Sequence, residues 1–210
     1  MERLDLLSVA LGLAALAGVN LYLTVFATGL AIHCHWITLA PQYQSLEVLG
    51  NSWIISIAGV LYLLEFFADK IPWVDSIWDA VHTVIRPIGG ALLAIQVLRH
   101  PSPAFTVIVA LLAGGTSLIA HTAKAATRLA SNTSPEPVTN IGLSFAEDAA
   151  VLGGLTLVNL SPVLALIIFL IAIGVFFYFA RRVLRSIKGK IGAPRKKLEE
   201  PADRNVPVRD

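Results

Sequence analysis

Asp75, Asp79, His82 and Arg86 stand at i, i+4, i+7 and i+11 of the segment VDSIWDAVHTVIRP. At 100° per residue they fall within about 60° of one another on a helix, which makes one polar stripe. Two carboxylates, an imidazole and a guanidinium in line offer proton transfer, cation binding and charge pairing. With Glu147 from a later segment, Asp75, Asp79 and His82 also form the oxygen-and-imidazole set that suits a divalent cation such as Mn, Fe or Zn. The surrounding segments add the acids Glu65, Asp69, Glu136 and Asp148 and the bases Lys70, Lys124 and Arg128. Seven acids against four bases leave three negative charges uncompensated, with His82 and His121 placed to take protons.

The chain that must position these groups is apolar. Of its 210 residues 56% are hydrophobic and only 14% charged, and the mean hydropathy is +0.73. A soluble domain carries about 25% charged residues. The composition therefore predicts an all-α integral membrane protein, with length for one compact bundle. A single cysteine, Cys34, excludes an intramolecular disulfide. Half of the 16 Lys and Arg residues lie between Arg181 and Lys197, so no basic face for nucleic acid is expected.

Six apolar segments are expected to span: Leu6–Ile32, Trp53–Phe67, Asp75–Leu98, Phe105–Ala130, Asn140–Val158 and Pro162–Ala180. Residues 1–186 would form the membrane domain and 187–210 a basic, disordered tail. The positive-inside rule puts that tail in the cytoplasm, and six spans put the amino terminus there too. The loop 33–52 then lies outside and carries no Lys or Arg. Its HCH triplet reads as an interfacial polar cap. Trp36 and Trp53 mark the outer interface and Trp73 the inner one. Pro87 is expected to kink the third span.

The loops 69–75 and 131–140 face the cytoplasm in this scheme, each broken by proline. Shifting the helix before the first loop by 59 residues sets Tyr62, Glu65 and Asp69 on His121, Lys124 and Arg128. Shifting the helix after it by 65 sets Asp75, Asp79 and His82 on Asn140, Ser144 and Glu147. The pattern suggests two repeated helix–proline loop–helix hairpins, with opposite charges at matching places. Transporters often place a site between such repeats. Asn132, in a sequon on the cytoplasmic side, offers a hydrogen bond rather than a glycosylation site.

A charge at a helix centre costs about 2.5–3.5 kcal/mol on insertion. Pairing between helices accounts for some of these residues: Glu65 and Asp69 with Lys124 and Arg128, and Arg86 with Glu147 or Asp148. It does not use up the acids. The candidate ion- or substrate-binding set is therefore Glu65, Asp69, Asp75, Asp79, His82, Arg86, His121, Lys124, Arg128, Asn132, Glu136, Asn140, Glu147 and Asp148. Asn20, Thr24 and Thr28 are expected to hydrogen-bond within the bundle. The glycine pairs 89/90, 114/115 and 153/154 are expected to let helices approach closely.

The strings EFFADKIPWVDSIWDAVHTVIRPIGGAL and HTAKAATRLASNTSPEPVTNIGLSFAEDAAV resemble the bacterial membrane proteins grouped as domain of unknown function 4126. The resemblance covers residues 8 to 160 and implies a bacterial inner-membrane location, with no activity to transfer. More distantly, EFFADK is similar to the Glu-x-Gly-Asp-Lys signature of manganese and calcium cation/proton exchangers. Glu65, Asp69 and Lys70 would match, with one extra residue and alanine for glycine.

Three readings follow. The first is a small transporter of a cation or a proton-coupled solute, its polar site open to the cytoplasm. The second is an intramembrane enzyme acting on a lipid or lipid-phosphate head group, with Arg86, Lys124 and Arg128 on phosphate and His82 or Asp79 as acid or base. No nucleophile with a base beside it and no glycine-rich cradle supports it. The third is a scaffold or assembly factor, which has no use for charges at mid-membrane. The bilayer and a small ion or solute are the expected partners, and self-association is left open.

Overall fold

The protein was analysed as a computed structural model, which describes residues 2–98, 101–132 and 137–191. Among them are seven α-helices, α1 (Glu2–Val19), α2 (Leu21–His33), α3 (Ser52–Ala68), α4 (Pro72–Val97), α5 (Pro103–Asn132), α6 (Pro137–Leu160) and α7 (Pro162–Ile191). A 3-10 helix, Pro41–Gly50, lies between α2 and α3. The chain divides into a unit up to Ile173, described first, and a second unit from Gly174 onward.

The apolar run Leu6–Ile32, expected as one span, is broken at Asn20. Its backbone is extended (φ −149°, ψ 100°), and its side-chain oxygen accepts from the Leu23 amide at 2.9 Å. That is an N-cap, so a second helix starts there. The two helices then run in opposite senses. Going up α1, Gly18 meets Arg86 of α4, Ala14 meets Gly90 of α4, and Gly12 meets Val158 of α6. Going along α2, Phe26 stacks on Tyr62, Gly29 meets Ile55, and Ile32 meets Gly50. Both arms therefore end where α4 and α6 finish, and Asn20 is the tip of a V. The tip sits beside Asp148, twelfth of the 24 residues of α6, at the middle of the bundle.

This hairpin changes the count of spans. Four helices, α4 to α7, are long and apolar enough to cross a membrane, and a fifth crossing exists if the 3-10 helix and α3 are one span bent by 66°. The expected six are not reached, because the first segment turns back. The two expected repeats also differ in outline. α3 has 17 residues behind its bend, whereas α5 is one helix of 30.

α1 is the centre of the first unit. Its Ala10, Ala14 and Ala17 are buried among Ala94 and Val97 of α4 and Val109 and Ala113 of α5. Small side chains permit this approach, as dispersion and close packing must hold helices together where lipid is as apolar as the core. Gly18 is required: a Cβ there would strike the Ser117 carbonyl oxygen. At Gly90 it would lie 2.6 Å from the Ser117 Cβ. α4 stays continuous through Pro87, and the Arg86 carbonyl accepts the Ser117 hydroxyl at 2.8 Å.

α4 is amphipathic inside out. Ile77, Val81, Val84, Ile88 and Leu92 face outward, whereas Asp75, Asp79, His82 and Arg86 are buried. Trp36 and Trp53 are exposed at one end of the bundle and Trp73 at the other. In the second unit α7 continues past residue 187 to Ile191. Gly174, Phe177 and Tyr178 border a cleft there with Arg181, Arg182 and Arg185. The rest of the expected basic tail lies outside the described residues.

Candidate functional site

α3, α4, α5 and α6 converge on a buried column of charge that runs from the α3–α4 turn to the tip of the V. Arg128 of α5 is its hub at the turn end. It contacts Asp69 at 2.9 Å and Asp75 at 3.2 Å, and it holds Glu147 by two parallel bonds, one of them Nε to Oε1 at 2.9 Å. Its Nη1 also donates to the Asp69 carbonyl at 2.8 Å. The planar fork of arginine suits this multiple recognition. One turn along α5, the Lys124 ammonium lies 3.3 Å from Glu65, 3.4 Å from Asp69 and 3.3 Å from Glu147.

Arg86 is the hub at mid-bundle. It donates to Glu65 at 2.6 Å, to the Gly18 carbonyl at 3.1 Å and to His121 Nδ1 at 2.8 Å, with Asp79 at 3.7 Å. Arginine here closes the carboxyl end of α1, whose last carbonyls the break at Asn20 leaves without helical partners. The pairing of Glu65 and Asp69 with Lys124 and Arg128 agrees with the sequence. Arg86 does not pair with Glu147 or Asp148, because α3 brings Glu65 between them.

The two histidines are fixed by their neighbours. A guanidinium can only donate, so His121 Nδ1 accepts and Nε2 carries the proton, facing the Asp79 carbonyl and the Thr83 hydroxyl, both at 3.1 Å. His82 Nδ1 donates to the Trp78 carbonyl at 2.8 Å, leaving Nε2 to accept from the Tyr22 hydroxyl at 3.0 Å. Neither ring has a nitrogen free for a metal. Among the described residues no group of three or more His, Cys, Asp or Glu side chains is placed to hold a metal ion. Asp75, Asp79, His82 and Glu147 are separated by their own partners, so the divalent-cation set read from the sequence is not assembled.

Asp148 stands slightly apart from the ion pairs. It accepts from Asn20 Nδ2 at 3.1 Å and from the Tyr62 hydroxyl at 2.9 Å, and Asn20 and Tyr62 belong to the site although the sequence did not mark them for it. Both were visible: Asn20 is a cap residue inside an uncharged run, and Tyr62 falls on His121 in the hairpin comparison. Asn140 accepts from the Ser131 hydroxyl at 3.0 Å at the turn end of the column. Glu136 and the Asn132 side chain lie outside the described residues.

Lys70 leaves the cluster. Its ammonium donates to the Phe66 carbonyl at 2.9 Å and sits 3.0 Å over the Phe66 ring. Burial beside these rings lowers its pKa, against the pull of Asp69. Glu65, Asp69 and Lys70 therefore do not act together as the exchanger signature would have them.

Five carboxyl groups, Glu65, Asp69, Asp75, Asp79 and Glu147, share three cations, Arg86, Lys124 and Arg128, and Asp148 adds a sixth carboxyl group held by Asn20 and Tyr62. Among the described residues that is an excess of three; Lys70 stands outside the column, and Glu136 lies outside the described residues. Glu65 Oε2, Asp69 Oδ1, Asp75 Oδ2 and Asp79 Oδ1 are buried without a hydrogen-bond partner.

The family model for a domain of unknown function, DUF4126, matches residues 7–182. The chain belongs to the DUF4126 family. Comparison with curated proteins and with solved structures gives no match. In this DUF4126 protein the matched region contains every residue of the column and the V from Leu7 onward.

Proposed function

We propose that this protein is a small multi-pass transporter in which the charged column carries a cation, or protons coupled to a small polar solute. The observation that supports this most is the three-charge excess of carboxyl groups among the described residues of the column, four of which keep an oxygen without a hydrogen-bond partner. Buried carboxylates in excess of their cations are costly, so the excess is balanced by protons or a bound cation. Groups that exchange such a counter-charge with solvent form a pathway. The V supports the same reading, because half-length helices meeting at a mid-membrane polar site are a recurring transporter device. The lipid-phosphate enzyme gains nothing here, as all three cations are committed to carboxylates.

The proposed setting is the inner membrane of a bacterium, with the basic end of α7 in the cytoplasm. Five crossings then place the start of α1 at the outer face, not the inner one, and the α3–α4 turn, where the column ends, on the cytoplasmic side.

The test uses purified protein in liposomes containing a trapped pH indicator, with gradients of Na+, K+, Mn2+ or Ca2+ imposed in turn. At least one gradient should drive proton movement, and Asp79→Asn and Glu65→Gln should abolish it while the protein stays folded. No flux under any gradient, or full flux in both variants, would overturn the reading.

A further inference from the structure

The arms of the V enclose a second site, at the end of the bundle away from the α3–α4 turn. Val9 and Leu13 of α1, Ala31 of α2, and Leu152 and Leu155 of α6 border a cavity of about 410 Å³. No charged residue lines it. Its size lies within the range of about 300–1,000 Å³ of small-molecule pockets.

Thr28 projects into this cavity and is 9% exposed, with its hydroxyl unpartnered. Several threonines in these helices behave differently. Thr24, Thr122, Thr127 and Thr156 each donate to the carbonyl four residues earlier. The Thr28 hydroxyl keeps a donor that no group among the described residues accepts. Two walls of the cavity, Leu152 and Trp36, are also 47% and 71% exposed, so the cavity continues into the lipid-facing surface.

Depth selects the occupant. Thr28 is eight residues beyond the mid-bundle tip, about 12 Å along the helix at 1.5 Å per residue. Half the hydrocarbon thickness is about 15 Å. The hydroxyl therefore sits just below the interface, where ester carbonyls of membrane lipids lie, with apolar walls from there toward Leu152.

We propose that this cavity binds one acyl chain of a membrane glycerophospholipid, with Thr28 donating a hydrogen bond to its ester carbonyl. The chain enters past Trp36 and lies between α1, α2 and α6. It would hold the two arms of the V apart, filling space that their own small side chains leave open.

The experiment uses full-length protein in lipid discs doped with phosphatidylglycerol carrying a diazirine in one acyl chain. After irradiation, labelled peptides are mapped by mass spectrometry. Peptides containing Leu13 and Leu152 should be labelled. Ala31→Trp, and independently Ala27→Phe, should remove that label and leave the label on the outward stripe Ile77–Leu92 unchanged, which also reports intact folding. Thr28→Val keeps the shape and should weaken the pocket label about fivefold, the effect of one lost hydrogen bond. Label confined to the outward stripe, or pocket label indifferent to both filling variants, would overturn the site. Labelling by a diazirine fatty acid but not by the phospholipid, or no effect of Thr28→Val, would overturn the ester assignment.

Discussion

Asn20 and Asp148 are joined across the bundle, Nδ2 to Oδ1 at 3.1 Å, while the other end of the same amide caps α2. One side chain thus ends a helix, starts another and holds a carboxylate of the column. Asn20→Ala removes all three functions. It should cost about 1 kcal/mol for the cap and about 1–3 kcal/mol for the stranded carboxylate, read as a lower thermal midpoint in detergent. Asn20→Asp keeps a capping oxygen but loses the donor, and should fall below wild type too. Equal stability of all three proteins would show that the break does not depend on this residue.

The Arg128–Glu147 fork should behave as a coupled pair. Arg128→Met strands Asp69, Asp75 and Glu147 and should cost about 3–5 kcal/mol or abolish accumulation. Adding Glu147→Gln should recover part of the loss, and a double-mutant cycle should return a coupling of about 1–3 kcal/mol. Additive losses would mean that Arg128 serves the other carboxylates alone.

Much of this column was legible in the sequence. Charge at 3.6-residue spacing inside apolar segments has only one tenable direction, inward, and the matching of Glu65 and Asp69 with Lys124 and Arg128 followed from opposite signs at equal spacing. The V was not legible by hydropathy, which measures how apolar Leu6–Ile32 is and not which way it runs. A cap signal was present at Asn20, yet an asparagine in a long apolar run reads equally as a packing residue. Lys70 misled for a related reason. Its position suggested the cluster, but a long stem lets the ammonium swing onto Phe66.

Lys70 and Lys124 should therefore separate cleanly. Lys70→Gln removes a cation that touches none of the carboxylates in the column and should leave proton flux near wild type. Lys124→Gln removes one shared by Glu65, Asp69 and Glu147 and should abolish flux or lower stability sharply. Comparable losses in both would bring Lys70 into the site.

Topology is accessible through the single cysteine. Cys34 is exposed, and a membrane-impermeant maleimide should reach it from outside intact spheroplasts. In a Cys34→Ser background, Arg3→Cys should label from the same side and Lys70→Cys only after permeabilisation. Labelling of Arg3→Cys only after permeabilisation would return the start of α1 to the cytoplasm.

The central place of α1 bears on how the chain is made. Its buried faces lie against α4, α5 and α6, yet it leaves the ribosome long before any of them exists. Until then α1 has only α2 as a neighbour, and neither is long and apolar enough to cross the bilayer alone. The α1–α2 pair is therefore expected to wait at the membrane surface or beside the insertion machinery. It can take its place only when α6 has been threaded, and Asn20 meets Asp148 at the close of assembly.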